Sequence, residues 1–450
     1  MRLCLYLFLL GPMLGTLNAQ VPTRGALVSD TILRTYTTGD IQAEYDSLGL
    51  PSFVAPIQYE VEMHKIVYWT LNAQGTGLTF ASGAVLVPLL YPCGSPLVLY
   101  NHGTVVYDEG LPSDLGQELL VGLPFATGGY AVAMPDYLGL GEGLGRHPFM
   151  HAQSEATCGV DMVRATRNLM DSIGAALNGQ IFIGGYSQGA HVSLAQQREM
   201  ETQHPTEFDV AGVAAGGGPY DLSTTMRDYF FQGLPSQTTS AYFAYMMLSY
   251  QSVYGNLYND LSEVFVSPYD VEIPKIFNRF ASQSSISLPT VATSMVQPAY
   301  IQAVQSDSMH PFNVALRDND VYDWTPQAAL RMFYCEADEV VPYQNSIIAS
   351  NQMNTNGAVN VVTSSVGPNN DHGTCALPSF LQIKFFADAR KQDCSTAVEP
   401  EQEIGLRTYL VPGSDDLQLE WDVAVRVERI ELYHLSGQLL GQAVPGLAAE

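Results

Sequence analysis

The chain has 450 residues, of which 46% are hydrophobic and 14% charged, with 39 glycines and 26 prolines. This composition excludes a disordered or coiled-coil protein and indicates a globular protein with many tight turns. The formal net charge is −26, with only 19 Lys and Arg residues, and this argues against nucleic acid as a partner because phosphate would be repelled. The length allows about two to three domains, or one α/β enzyme with insertions.

Residues 1–19 have the features of a signal peptide. Arg2 precedes the apolar stretch Leu3–Leu10, and the segment ends at Ala19, a small residue suited to signal-peptidase cleavage. A glycine-proline pair interrupts the apolar run, whereas a membrane-spanning helix needs about 20 apolar residues. The sequence therefore predicts a protein that is secreted or held at the cell surface.

The mature chain begins with turns and a short helix, up to about Pro56, and continues as alternating strands and helices. Apolar spacing predicts a helix over Glu155–Ile173. The strands predicted before and after it are Tyr59–Trp69, Leu78–Val87, Leu97–Tyr100, Tyr130–Met134, Gln180–Gly184 and Phe208–Gly216. This alternation is typical of an α/β protein with a mostly parallel central sheet.

Between about residues 220 and 326 the alternation stops, and aromatic residues and methionines become dense, above all over residues 229–265. We expect an inserted helical cap here. The aromatic side chains either form the core of the cap or line a substrate site, and one cap can do both.

After the cap, strands are predicted at Leu330–Tyr334 and Gly357–Thr363, and a helix at Ser379–Arg390 completes a main domain of residues 20–394. A linker follows. Alternating residues then predict a β-rich module over residues 400–450.

The mature chain contains an odd number of cysteines, so at most two disulfides form and at least one thiol remains. These cysteines are Cys93, Cys158, Cys335, Cys375 and Cys394. Their spacing is not that of metal ligands. Cys335 ends a predicted strand and Cys375 lies just past His372, which leads to the hypothesis of a Cys335–Cys375 bond.

Gly185-Tyr186-Ser187-Gln188-Gly189 stands between a predicted strand and a helical stretch. A serine on such a strand-to-helix turn is a nucleophile elbow, in which the two glycines leave room for the turn to close. The alternative is an ordinary polar residue in a glycine-rich turn. We predict that Ser187 is a catalytic nucleophile.

A serine nucleophile needs a general base and a carboxylate that orients the base, in the chain order Ser, acid, His. Asp338 follows the Leu330–Tyr334 strand, with Glu336 and Glu339 as competing acids. His372 lies in the loop after the next strand and is the predicted base, with His310 in the cap as its rival.

Hydrolysis of an acyl compound also needs donors for the oxyanion of the tetrahedral intermediate. The amide of Gln188, directly after the serine, is one predicted donor. The amide of Thr104 or Gly103, in the loop after the Leu97–Tyr100 strand, is the other, with His102 as a structural support.

Together these residues resemble the α/β-hydrolase superfamily over roughly residues 50–392. The motifs Tyr100–Thr104, Pro135–Gly141, His147–Phe149 and Gly185–Gly189 are most similar to the secretory-lipase and bacterial esterase branch. The resemblance implies an α/β-hydrolase fold and hydrolysis of a small-molecule or lipid ester through an acyl-enzyme, with neither a metal nor an organic cofactor. It also implies that the cap acts as a lid.

The tail motifs Val411–Leu419 and Ile430–Gly437 resemble the sorting domain of Bacteroidota type IX secretion cargo, in a shortened form. This resemblance implies Gram-negative export and the secretion machinery as a partner.

Two other functions stay open from the residues. One is a serine peptidase, since the fold does not determine the bond that is cleaved. The other is a secreted binding protein without catalysis.

Overall fold

The computed structural model describes residues 22–50, 55–392 and 394, together with four strands of the C-terminal tail. The predicted signal peptide lies outside the described residues. The first unit of the chain ends at Gln392 and a second comprises residues 393–450. None of the described helices is long and apolar enough to span a bilayer.

A nine-stranded sheet with the order β1-β2-β3-β5-β4-β6-β7-β8-β9 forms the centre of the first unit. Strands β1, β2 and β3 are antiparallel to their neighbours, and β3 pairs antiparallel with β5. From β5 through β4 to β9 all pairs are parallel. The strands are Leu27–Tyr36 (β1), Val61–Leu71 (β2), Leu78–Pro88 (β3), Ser95–Asn101 (β4), Ala131–Pro135 (β5), Leu177–Tyr186 (β6), Asp209–Gly216 (β7), Leu330–Cys335 (β8) and Val361–Gly367 (β9).

Helices cover both faces of this sheet, which confirms the predicted α/β architecture. On one face Thr38–Leu48 (α1), Leu123–Ala126 (α2) and His372–Asp388 (α11) pack against the strands. On the other lie Ala152–Ser172 (α3), Gln188–Gln203 (α4) and Gln344–Thr355 (α10). Both faces are apolar, as buried parallel strands require.

The chain between β7 and β8 is helical, as expected for an insertion. Its helices are Arg227–Phe231 (α5), Gln237–Tyr254 (α6), Tyr269–Ile276 (α7), Pro298–Ser306 (α8) and Pro311–Asp318 (α9). They enclose a hydrophobic core that includes Phe243, Met247, Phe265 and Phe312, all fully buried. Many of the aromatic side chains of the insertion therefore pack against one another.

Three predicted elements differ from the structure. The first mature stretch contains the edge strand β1, which was not predicted because most of its residues are exposed and show no clean alternation. The strand predicted at Gly357–Thr363 is displaced, since α10 ends only at Thr355 and Val359 lies 94% exposed in the connection. The last helix begins at His372, not Ser379, because Asp371 caps it by accepting the Thr374 amide at 2.8 Å.

The predicted Cys335–Cys375 disulfide is present and joins the end of β8 to the first turn of α11. Cys158 is a buried free thiol on α3.

The tail contains two antiparallel strand pairs, in agreement with the predicted β character. They are formed by Leu406–Leu410 with Leu417–Trp421 and by Ile430–Tyr433 with Leu439–Ala443.

Candidate active site

Ser187 lies between the last residue of β6 and the first residue of α4. Its φ of 58° and ψ of −121° are a strained conformation for a residue with a side chain. The turn closes only because its flanking residues are glycines: a Cβ on Gly185 would lie 2.4 Å from the Gly189 carbonyl oxygen, and one on Gly189 would lie 2.0 Å from that of Asn101. Residues Gly185–Gly189 therefore form the sharp turn that the motif predicted.

The structure brings Ser187, His372 and Asp338 together, although 185 residues separate the first two. His372 Nε2 lies 2.9 Å from Ser187 Oγ, and His372 Nδ1 lies 2.7 Å from Asp338 Oδ2. Asp338 is an acceptor, so Nδ1 carries the proton and Nε2 is free to accept the serine hydroxyl. The other Asp338 oxygen accepts the backbone amides of Val340 and Val341 at 2.9 and 2.8 Å, which fixes the carboxylate.

The competing residues from the sequence have other partners. Glu336 accepts the Ser365 hydroxyl at 2.7 Å. Glu339 accepts the backbone amide of His372 at 3.0 Å and makes no hydrogen bond to the imidazole in the described structure. His310 caps α9 by accepting the Phe312 amide. Of these three acids, only Asp338 therefore accepts a hydrogen bond from the ring of His372.

The loop after β4 lies beside the elbow. His102 Nδ1 donates to the Gly103 carbonyl at 2.7 Å, and its ring lies 4.2 Å from that of Tyr137, whose hydroxyl donates to the His102 carbonyl. Burial lowers the pKa of His102, which keeps the ring neutral. Thr104 borders the same cavity as Ser187 and Gln188. The Gln188 amide is in the first turn of α4, where amides have no partner within the helix.

A small apolar cavity of about 20 Å³ adjoins Ser187. From the insertion, its walls include Leu222, Met226, Phe230, Tyr242 and Met246. Two of the predicted cap aromatics, Phe230 and Tyr242, thus line the site. Phe243, Tyr250 and Phe265 lie instead in the core of the insertion, so some of these aromatic side chains pack within the insertion and others border the cavity.

A buried polar network beneath the elbow was not predicted. Gln188 Nε2 donates to Glu155 Oε1 and to His147 Nε2, both at 2.9 Å. Glu155 Oε2 accepts His191 Nδ1 at 2.8 Å, and His191 Nε2 donates to the Asn319 carbonyl at 2.9 Å. Burial lowers the pKa of His147 to about 4, so its ring is neutral and accepts the amide. The network fixes the side chain of the residue whose amide is a predicted oxyanion donor.

Sequence reasoning missed this network because Glu155 and His191 lie 36 residues apart on two separate helices. The sequence did contain one indication of the network: polar residues lie on helix faces that are otherwise apolar and would pack into the core. Such buried polar residues need hydrogen-bond partners. Tyr186 was missed in the same way. Its hydroxyl donates to the His372 carbonyl at 2.6 Å, and its ring centroid lies 5.1 Å from that of the imidazole.

Known proteins resemble this chain in sequence and in structure. The secreted triacylglycerol lipase LIP5 of Malassezia furfur is 26% identical over 251 residues, which are 54% of this chain and 61% of that lipase. The chain thus spans less than two thirds of that relative.

Among solved structures, the rice cell wall degrading esterase LipA from Xanthomonas oryzae has a TM-score of 0.74 and 26% identity, covering 82% of this chain and 100% of LipA. Candida antarctica lipase A in its closed state has a TM-score of 0.61 over 83% of this chain and 85% of that lipase. Its 18% identity limits that likeness to the fold.

The profile of the secretory lipase family matches residues 113–379, a region that contains Ser187, Asp338 and His372. The structural neighbours support an α/β-hydrolase fold for the first unit of the chain. Because the match extends over more than half of the chain, the protein belongs to the secretory lipase family.

Proposed function

We propose that the protein hydrolyses carboxylic esters through an acyl-enzyme formed on Ser187. The observation that carries this proposal is the hydrogen-bonded chain from Ser187 Oγ through His372 to Asp338, at 2.9 and 2.7 Å, beside an apolar cavity. A serine hydroxyl is a weak nucleophile unless a base removes its proton, and this arrangement supplies the base. Family membership points to the same reaction.

In the proposed mechanism, Ser187 Oγ attacks the ester carbonyl carbon while its proton moves to His372 Nε2. Asp338 holds the ring in the correct tautomer and stabilises the imidazolium that forms. The carbonyl oxygen becomes an oxyanion that the Gln188 amide and the amide of Thr104 or Gly103 receive. Thr104 shares the cavity with Ser187, which favours its amide as the second donor.

The ester C–O bond then breaks, and the departing alcohol oxygen takes the proton from His372 Nε2. Water attacks the acyl-enzyme with His372 again acting as the base, which releases the acid and restores the serine. Each proton transfer thus runs between His372 and one of three partners: Ser187, the departing alcohol or water.

The test is ester turnover by the Ser187→Ala variant on a panel of chromogenic esters. We expect a loss of roughly 10³-fold or more in kcat, since removing the nucleophile leaves only the oxyanion donors and binding. Ser172→Ala is the matched control, because the Ser172 hydroxyl donates to the Leu169 carbonyl within α3. Undiminished turnover by Ser187→Ala would contradict the mechanism, and cleavage of aryl amides without ester turnover would favour a peptidase.

We also propose that the tail directs export across a Bacteroidota-type outer membrane, after a signal peptide has directed the chain across the inner membrane. The separate unit formed by residues 393–450 and its paired strands support a sorting module. The test fuses residues 393–450 to a periplasmic reporter in a host with type IX secretion. Reporter in the medium supports the proposal, and reporter retained in the periplasm contradicts it.

A further inference from the structure

A second, larger recess lies next to the candidate active site. Its volume is about 350 Å³, against about 20 Å³ for the cavity under the insertion. We call it the α1–α11 groove, after the helices that contribute Leu48, Ala376, Leu377 and Phe380 to its walls. The other apolar lining residues are Leu50, Leu120, Val121 and Pro124.

Two pairs of consecutive residues separate the groove from the cavity. Gly103 and Tyr186 line the groove, whereas their neighbours Thr104 and Ser187 line the cavity. A Cβ on Gly103 would lie 4.0 Å from Ser187 Cβ and 3.9 Å from Glu118 Oε1 in the groove wall. Because Gly103 has no side chain, nothing at this position fills the space between the groove and Ser187.

The groove lies on the histidine side of the serine. Ala376 and Leu377 follow His372 by about one turn of α11, and the Tyr186 ring packs 5.1 Å from the imidazole. A departing alcohol must receive its proton from His372 Nε2, so the alcohol lies on this side of the scissile bond. The cavity is lined instead by Thr104 and Gln188, the favoured pair of oxyanion donors, whereas the alternative donor Gly103 borders the groove.

On this basis we propose that the α1–α11 groove binds the alcohol part of the ester and the cavity binds the acyl part. This inference rests on the proposed ester hydrolysis and names its substrate class: esters of short acids with bulky, mainly apolar alcohols. The cavity has room for about one water molecule, which an acetyl-sized group replaces. The groove accepts a long alkyl chain or an aromatic ring, because burial of apolar surface against its walls favours binding.

The groove also indicates the charge of this alcohol. Glu118 is half-buried in its wall beside the apolar side chains. A carboxylate there repels an anionic group, so the preferred alcohol carries no negative charge.

The deciding experiment compares octyl acetate with ethyl octanoate in a pH-stat, below their solubility limits. These esters are isomers, so they have the same atoms and differ only in which side of the ester bond carries the long chain. We expect kcat/KM for octyl acetate to be at least about tenfold higher. Equal values, or a higher value for ethyl octanoate, overturn the assignment of the groove.

A variant pair locates the effect. Ala376→Phe fills the groove, and we expect it to lower the ratio of kcat/KM for octyl acetate to that for ethyl acetate about tenfold. Ala389→Phe introduces the same side chain at the exposed end of α11 and keeps the wild-type ratio. Turnover of ethyl acetate shows that each variant is folded, and an unchanged ratio in Ala376→Phe overturns the proposal.

The two proposals fail in different ways. If wild-type protein turns over neither isomer nor any other ester, the proposed function fails. If it turns over esters through Ser187 but prefers ethyl octanoate, ester hydrolysis stands and only the assignment of the groove fails.

Discussion

Asp338 and Glu339 are neighbours in the chain, yet their carboxylates contact different atoms of His372. Asp338 accepts from the ring at Nδ1, and Glu339 accepts from the backbone amide. The first contact fixes the tautomer that leaves Nε2 free, whereas the second supports the start of α11. A carboxylate one residue away therefore cannot take over the role of Asp338 in this geometry.

Asp338→Asn should lower kcat for ester hydrolysis by about 10⁴-fold, because an amide at this position favours the wrong tautomer of His372. Steady-state kinetics on a short-chain ester measures the effect. Glu336→Gln is the matched control, since this exposed carboxylate contacts Ser365 and not His372. A loss of less than tenfold in Asp338→Asn would assign the orienting role to another group.

Glu155 links the elbow to the core of the first unit. Burial by itself would raise the pKa of Glu155, but contact with His191 and the hydrogen bond from Gln188 outweigh it and lower the pKa below 4.5. Replacing Glu155 with Ala leaves His191 and Gln188 without their buried partner, so we expect the free energy of unfolding to fall by about 3 kcal/mol. Urea unfolding at pH 7 measures this loss.

The same carboxylate makes stability depend on pH. Its depressed pKa means that the unfolded chain takes up the proton more readily, so the contribution is complete above pH 4.5 and declines as pH falls towards the folded pKa. We expect Glu155→Gln to lose less stability than wild type between pH 5 and pH 3. Exposed Glu109→Gln is the control and should follow the wild-type profile.

The sequence was sufficient to select Ser187, Asp338 and His372, which hydrogen-bond to one another in the structure, because each follows a predicted strand and the required chain order is restrictive. It was insufficient for the partners of Gln188. His147, Glu155 and His191 meet only after a loop and two helices have packed, and nothing in their local patterns specifies that contact. Tertiary packing decides which residues pair with a buried polar side chain. A single sequence therefore shows that such a side chain needs a partner but does not show which residue the partner is.

Among the elements, α11 combines two tasks. It supplies His372 at its first position and packs Phe380, Ile383 and Phe386 against the sheet further along. The Cys335–Cys375 bond ties its first turn to the end of β8, three residues before Asp338. One cross-link thus limits the separation of the acid loop and the histidine loop.

Removing this bond by combining Cys335→Ala with Cys375→Ala should lower the free energy of unfolding by about 4 kcal/mol, the entropy estimate for a loop of this length. The bridged residues are 40 apart in the chain. Chemical denaturation under non-reducing conditions measures the change. Cys158→Ala removes a buried thiol without a cross-link and should cost much less. Equal losses in the two variants would show that packing, not the cross-link, is responsible.

The differences between the predicted and the observed elements have local causes. The edge strand β1 lacks alternation because few of its side chains face the core. The start of α11 was missed because Gly373 and Pro378 disfavour a helix, whereas the Asp371 cap and the packed apolar residues outweigh them. Strand β9 was displaced because Val359 has high β propensity but lies in an exposed connection.

For the whole molecule, the charge of −26 is the dominant electrostatic property. Excess like charge destabilises a compact state, and salt screens it over a distance of about 10 Å at 0.1 M. We expect Tm near pH 7.5 to rise by a few degrees between about 20 mM and about 0.5 M NaCl, as measured by scanning fluorimetry. At pH 4.5, near the calculated isoelectric point of about 4.5, the rise should vanish. A Tm that is independent of salt at pH 7.5 would contradict this expectation.

The insertion leaves the sheet after β7 and returns at β8, while Ser187 follows β6, Asp338 follows β8 and His372 follows β9. All three residues thus follow strands of the central sheet, and the insertion supplies none of them. The candidate catalytic residues and the residues of the insertion that border the cavity are consequently encoded in separate stretches of the gene. Related proteins can therefore vary in the sequence of the insertion while the residues at the ends of the sheet strands are retained.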